Sequence, residues 1–199
     1  MNTPTRALLA ALPLVAALAL AGCAATTDDG DMPGMDHGSG GHTEASSTAA
    51  TPADVMFVTM MIPHHEQAVE MADLVLAKDG VDPRVVMIAE RIQAAQGPEI
   101  QVMQGWLEEW GVDPGTAEGM EHGDGMMSAD DMAALEAADG AAAGRLFLEQ
   151  MVVHHEGAVE MAQDALDDAA DPDVRTLAQQ VIDDQSAEIA EMQELAAQL

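Results

Sequence analysis

The sequence holds one cysteine, no tyrosine, two tryptophans, two phenylalanines and only six lysines and arginines in 199 residues. A single cysteine cannot form an internal disulfide, a Cys-x-x-Cys pair or a thiolate zinc cluster, which excludes disulfide scaffolds and zinc fingers. The few basic residues stand against 36 Asp and Glu, giving a formal charge of -30. Such a charge repels phosphate backbones and anionic headgroups and attracts cations, so a nucleic-acid partner is excluded. With aromatics at 2% and hydrophobics at 48%, the core has to be built from Ala, Leu, Val, Ile and Met, which are mostly good helix formers. The expected fold class is all-α. Methionine, by contrast, is plentiful at 16 residues, and seven histidines accompany it.

The chain opens with Arg6, an apolar run from Ala7 to Leu20, and Leu20-Ala21-Gly22-Cys23. The run is too short for a membrane span and ends in small residues, the pattern of a secretory signal. Leu-Ala-Gly-Cys also resembles the bacterial lipobox, which makes 1–22 a lipoprotein signal peptide and Cys23 the lipidated residue. The mature protein is then expected outside the cytoplasmic membrane, with acyl chains as its only membrane contact. Residues 23–50 lack apolar periodicity and read as a flexible tether. That tether carries Met32, Met35, His37 and His42 among glycines.

Residues 51–199 contain an internal repeat. Met61-Ile62-Pro63-His64-His65-Glu66-Gln67-Ala68-Val69-Glu70-Met71-Ala72 aligns with Met151-Val152-Val153-His154-His155-Glu156-Gly157-Ala158-Val159-Glu160-Met161-Ala162. After a one-residue deletion the match continues through Asp82-Pro83 and Asp171-Pro172, Gln96 and Gln185, Glu99-Ile100 and Glu188-Ile189, and Met103 and Met192. Two copies of one helical hairpin predict a four-helix bundle with halves 51–111 and 140–199. Asp82 and Asp171 cap helices that begin at Pro83 and Pro172, and Thr51 with Asp54 opens the first helix as a capping box. The predicted helices run from Pro52 to Lys78, Pro83 to Trp110, about Gly140 to Ala169, and Pro172 to Gln198. Pro63 and Pro98 are expected to kink the first two. The linker between the halves, rich in Gly, Met and His around Met120 and His122, leads to Ser128, which is expected to cap a short helix through Ala138.

The chemistry lies in Met-x-x-His-His-x5-Met, present twice. At about 100° per residue, Met61, His64, His65, Ala68, Met71 and Ala72 share an arc of about 120° on one helix face. Met151, His154, His155 and Met161 repeat the pattern, and Met103 and Met192 sit on the facing hairpin partners beside Gln96, Glu99, Gln185 and Glu188. A structural alternative is a hydrogen-bonded polar core. It needs partners for four inward histidines, because an unpartnered buried polar group costs about 1 to 3 kcal/mol.

For a metal site, thioether and imidazole donors without thiolate suit Cu(I) and Ag(I), and histidine retains Cu(II). No EF-hand loop is present, no Glu stands three residues before a His as a ferritin-type di-iron site requires, and zinc would leave the methionines idle. Haem held by His and Met stays open, without a covalent attachment motif.

The segments around Met61-Ile62-Pro63-His64-His65, Gln96-x-x-Glu99-Ile100-x-x-Met103-x-x-Trp106-Leu107 and Met151-x-x-His154-His155 resemble the bacterial domain of unknown function 305 family, from about Asp54 to Leu199. The resemblance implies a ferritin-like bundle, secreted or lipid-anchored, and copper ligation by Met61, His64, His65, Met71, Met151, His154, His155 and Met161, with Met103 and Met192 as further candidates. Leu195 and Ala196 stand where the second helix has Trp106 and Leu107, so the halves are not equivalent. The expected function is copper binding, as Cu(I), Cu(II) or Ag(I), for sequestration, tolerance or delivery. Metal ions and copper-exchanging proteins are the expected partners, and no catalytic activity is expected. A non-metal surface interaction module and a metal oxidase are the competing readings.

Overall fold

In the computed structural model the described residues are 50–113 and 125–199, all within one unit, Glu44–Leu199. The signal peptide, Cys23, the tether methionines and histidines, and the linker residues Met120 and His122 lie outside the described residues.

Five helices follow the punctuation of the sequence: α1 Pro52–Leu76, α2 Pro83–Trp110, α3 Ala129–Ala137, α4 Gly140–Asp168 and α5 Pro172–Ala196. Thr51 and Asp54 form a complete capping box at α1, and Ser128 with Asp131 forms one at α3. Asp82 and Asp171 accept from the first backbone amides of α2 and α5, each with Pro at the first position. Gly111, at φ 67°, closes α2 in the left-handed conformation that glycine adopts without a Cβ penalty. Helices α1, α4 and α5 end one or two residues earlier than the periodicity predicts. Both Pro63 and Pro98 sit inside continuous helices.

The fold is all-α, a ferritin-like four-helix bundle of two repeated hairpins. Hairpin α1–α2 and hairpin α4–α5 are joined chiefly through α1 and α4, while α3 packs on both of these helices. Asp54 fastens one end of this joint. Its Oδ1 accepts the backbone N–H groups of Ala170 and Asp171 at 3.0 Å each, and its Oδ2 accepts from the Thr51 amide and hydroxyl at 2.7 Å. One fully buried carboxylate therefore caps its own helix and holds the turn before α5.

Two apolar clusters fill the bundle. One contains Phe57, Val58, Met61, Met103, Leu107, Ala158, Ala162, Val174 and Val181. The other contains Ala68, Met71, Val75, Ile88, Ile92, Leu135, Phe147, Met151 and Met192. Each helix of the hairpins contributes to one cluster near one end and to the other cluster near its opposite end. Between the two stretches each helix carries buried or half-buried polar side chains: His64 and His65 on α1, Gln96 and Glu99 on α2, His154 and His155 on α4, Gln185 and Glu188 on α5.

Candidate metal centre

The helix-face arithmetic turns inward correctly for the histidines. All four are at most 1% exposed. The rings of His64 and His154 meet across α1 and α4 with centroids 3.8 Å apart and planes inclined by 40°. Nε2 of His65 lies 2.8 Å from Oε2 of Glu99, and Nε2 of His155 lies 2.9 Å from Oε2 of Glu188. A carboxylate only accepts, so both Nε2 atoms carry the proton, and in a neutral ring that leaves the lone pair on Nδ1.

Those lone pairs lack partners. Nδ1 of His65 and Nδ1 of His155 are buried without a hydrogen bond. The His64 backbone is the one group that favours a proton on His154. Burial outweighs it and pushes the His154 pKa well below the usual histidine range, assisted by the neighbouring His64, His155 and His65 rings. His154 is therefore a neutral imidazole in ordinary buffers, the protonation state in which one ring nitrogen carries a proton and the other offers an electron pair. Oε1 of Gln96 and Oε1 of Gln185 are also buried without partners beside this layer.

The thioethers flank the layer on both sides. Met61 and Met103 belong to one apolar cluster, and Met71, Met151 and Met192 to the other; all five are fully buried. Met161 departs from the expected pattern. Its repeat mate Met71 is inside the core, whereas Met161 is only partly buried and lines an open groove with Met56 and Met60. Among the described residues no three His, Cys, Asp or Glu side chains are grouped so as to hold an ion by themselves.

A cleft of about 330 Å³ between α2 and α5 reaches the layer from solvent, lined by Gln96, Glu99, Gln185 and Glu188. Arg91 crosses it, with Nε 3.3 Å from Glu188 and Nη2 2.5 Å from Glu191. Burial alone would raise the Glu188 carboxyl, but the bonds from His155 and Arg91 bring it below the usual carboxylate range. The glutamates thus orient the inner histidines while their outer faces meet the cleft. Their spacing on the inward faces of α2 and α5 is visible in the sequence; the pairing of each with a histidine on its own hairpin is not.

Sequence reasoning also missed the returning linker. Gln67 grips the backbone of Met127, accepting from its amide at 2.7 Å and donating to its carbonyl at 2.9 Å. The same segment brings Gly125 against the backbone of Val153, His154 and Gly157. The signal was the Gln67/Gly157 mismatch inside the repeat, where one side chain grips the crossing segment and the other position leaves it room.

A protein-family profile, Domain of unknown function (DUF305), matches residues 54–196. The solved structure of a DUF305 fragment from Deinococcus radiodurans is 35% identical, covers 75% of this chain and 99% of its own, and superposes with a TM-score of 0.69. A DUF305 protein from Streptomyces coelicolor is 33% identical over 73% of this chain and 93% of its own, with a TM-score of 0.67. CopM in its Cu(I)-bound form is 32% identical over 73% of this chain and 96% of its own, with a TM-score of 0.62, and CopM is also known in Cu(II)-bound and Ag-bound forms. No curated protein matches the chain. A profile spanning both hairpins, together with relatives above 30% identity that share the bundle, settles the membership: this chain belongs to the DUF305 family.

Proposed function

We propose that the protein binds copper, as Cu(I) and Cu(II), and the chemically similar Ag(I), outside the cytoplasmic membrane, and sequesters or delivers the ion rather than transforming it. The observation that carries this reading is the buried histidine layer at the bundle centre, where Nδ1 of His65 and Nδ1 of His155 have no hydrogen bond and burial holds His154 well below the usual histidine pKa range. Leaving such nitrogens unpaired costs about 1 to 3 kcal/mol each, a cost that a bound soft cation offsets. His64, His65, His154 and His155 supply the nitrogens, and Met61, Met71, Met103, Met151 and Met192 are the thioethers at hand to complete the shell. Glu99 and Glu188 hold the inner rings in the ligating tautomer, as outer partners of ligating histidines commonly do. The similarity to CopM, known in Cu(I)-bound and Ag-bound forms, supports copper and silver as the ions.

Lipid attachment at Cys23 is part of this proposal and rests on the Leu-Ala-Gly-Cys segment. Among the described residues no helix is long and apolar enough to cross a membrane. The Met and His residues of the tether and linker are proposed to recruit the ion.

The test is anaerobic Cu(I) competition titration of the full chain beside a variant with His64, His65, His154 and His155 changed to Ala, with helical content measured for both. Tight binding lost in a still-helical variant supports the central layer. Equal binding by both overturns it and moves the ligands to the tether and linker.

A further inference from the structure

Two grooves of the bundle are related by its internal repeat, and among the described residues one of them is covered. Beside Met71, the repeat places Leu146 and Gln150 on α4. Helix α3 lies over this groove: Leu135 is fully buried in the adjoining cluster, Leu146 and Met132 pack against it, and Nε2 of Gln150 donates to the Asp131 carbonyl at 2.9 Å. The related groove lies between α1 and α4 on the opposite side of the repeat. There the counterparts are Met161, Met56 and Met60, and they line an open groove of about 220 Å³.

The two grooves differ in chemistry as well as cover. Where α3 seals the surface, the α4 positions are leucine and glutamine; where the surface is open, both equivalents on α1 are methionine. Met56 is 54% exposed, so its side chain gains little from burial. Met56 and Met60 stand one helical turn apart on α1 and point the same way, while Met161 approaches from α4. Glu160, Asp164 and Asp168 edge the same groove, and among the described residues no basic side chain lines it. An apolar partner would have to desolvate these carboxylates, whereas a monovalent cation is attracted by them. Three polarizable sulfurs are the donor set that favours Cu(I) and Ag(I) over hard or divalent ions.

We infer that Met56, Met60 and Met161 form a second, surface-accessible site for a soft monovalent cation, separate from the buried histidine layer. The site is built from thioethers alone, so it exchanges its ion readily with solvent or another protein. It does not depend on the central histidines.

The probe is Ag(I), titrated into the full chain carrying ¹³C-methyl methionine and followed by NMR. The methyl signals of Met56, Met60 and Met161 are expected to shift together and saturate together, and to do so equally in the variant with the four central histidines changed to Ala. Met161→Leu, which keeps the volume, is expected to weaken the response of Met56 and Met60 about tenfold or more, by analogy with the loss of groups that support a metal shell. Unshifted or unlinked signals, or a Met161→Leu chain whose Met56 and Met60 respond as before, would overturn the assignment. Failure of the central layer is read separately, from the Cu(I) titration of the histidine variant, so either site can stand without the other.

Discussion

The rings of His64 and His154 face each other at 3.8 Å between centroids, each carried by the helix that joins its hairpin to the other. Their inner neighbours His65 and His155 are each tied by Nε2 to a glutamate of the same hairpin. The result is a polar layer between two apolar clusters, with the imidazole lone pairs directed by carboxylates on α2 and α5. Glu99→Gln and Glu188→Gln should therefore weaken Cu(I) binding about 10- to 100-fold, since an amide can offer either N–H or oxygen and no longer fixes the tautomer. Competition titration at constant pH checks this. Unchanged affinity in both variants would remove the glutamates from the binding apparatus.

Asp54 carries a prediction about acid stability. Burial by itself would raise its pKa, but the Thr51 hydroxyl and the amides of Asp171, Thr51 and Ala170 together bring it below the usual carboxylate range. A carboxyl depressed on folding contributes stability that is present above its unfolded pKa and lost as pH falls through the folded value. Denaturant unfolding from neutral pH downward should show this loss starting near the ordinary Asp range. Asp54→Ala should destabilise the chain by about 1 to 3 kcal/mol at neutral pH, because two amides of the α5 turn lose their acceptor. It should also flatten the acid limb; an acid limb as steep as the parent's would assign that dependence elsewhere.

Most of the helical plan is legible in the sequence because its signals are local. Thr51, Ser128, Asp82 and Asp171 mark helix starts by chemistry that acts within three residues. The inward turn of His64, His65, Met61 and Met103 follows from helical periodicity alone. What the repeat conceals is its own asymmetry. Met71 and Met161 occupy the same motif position, yet among the described residues α3 covers the surface beside the one while the other lines an open groove. The bond from Asp54 to the α5 turn is likewise invisible, since Gly144 stands at the corresponding place in the second copy and no local rule links residues so far apart.

That asymmetry predicts a difference in oxidation. In the parent chain, dilute peroxide should convert Met56 and Met161 to sulfoxide well before Met71, which has no exposed surface. Helix α3 is nine residues long, too short to persist without its anchors. Leu135→Ala removes the buried anchor, a type of change that costs about 2 to 5 kcal/mol in a packed core. Its expected result is detachment of α3, with Met71 becoming oxidisable while α1, α2, α4 and α5 stay helical. Peptide mass spectrometry after timed peroxide exposure reads both effects, and a Met71 that stays protected would show that α3 is not its cover.

Gly125 is the tightest point of the crossing segment. Its φ is +89°, and a Cβ there would lie 2.8 Å from the Val153 carbonyl, 2.9 Å from Cα of Gly157 and 3.0 Å from the His154 carbonyl. Those atoms belong to the backbone of α4 and cannot swing aside. Gly125→Ala must therefore lift the segment, and lifting it separates Met127 from the Gln67 side chain that satisfies both of its backbone groups. The combined strain and lost hydrogen bonds should cost about 1 to 3 kcal/mol. Amide exchange at Met127 should accelerate sharply, while exchange in α2 and α5 stays unchanged. Gln67→Ala should reproduce the faster exchange at Met127 without the steric strain, and so with a smaller fall in stability. If Gly125→Ala instead exchanges at Met127 like the parent, the crossing segment is held by contacts other than these two.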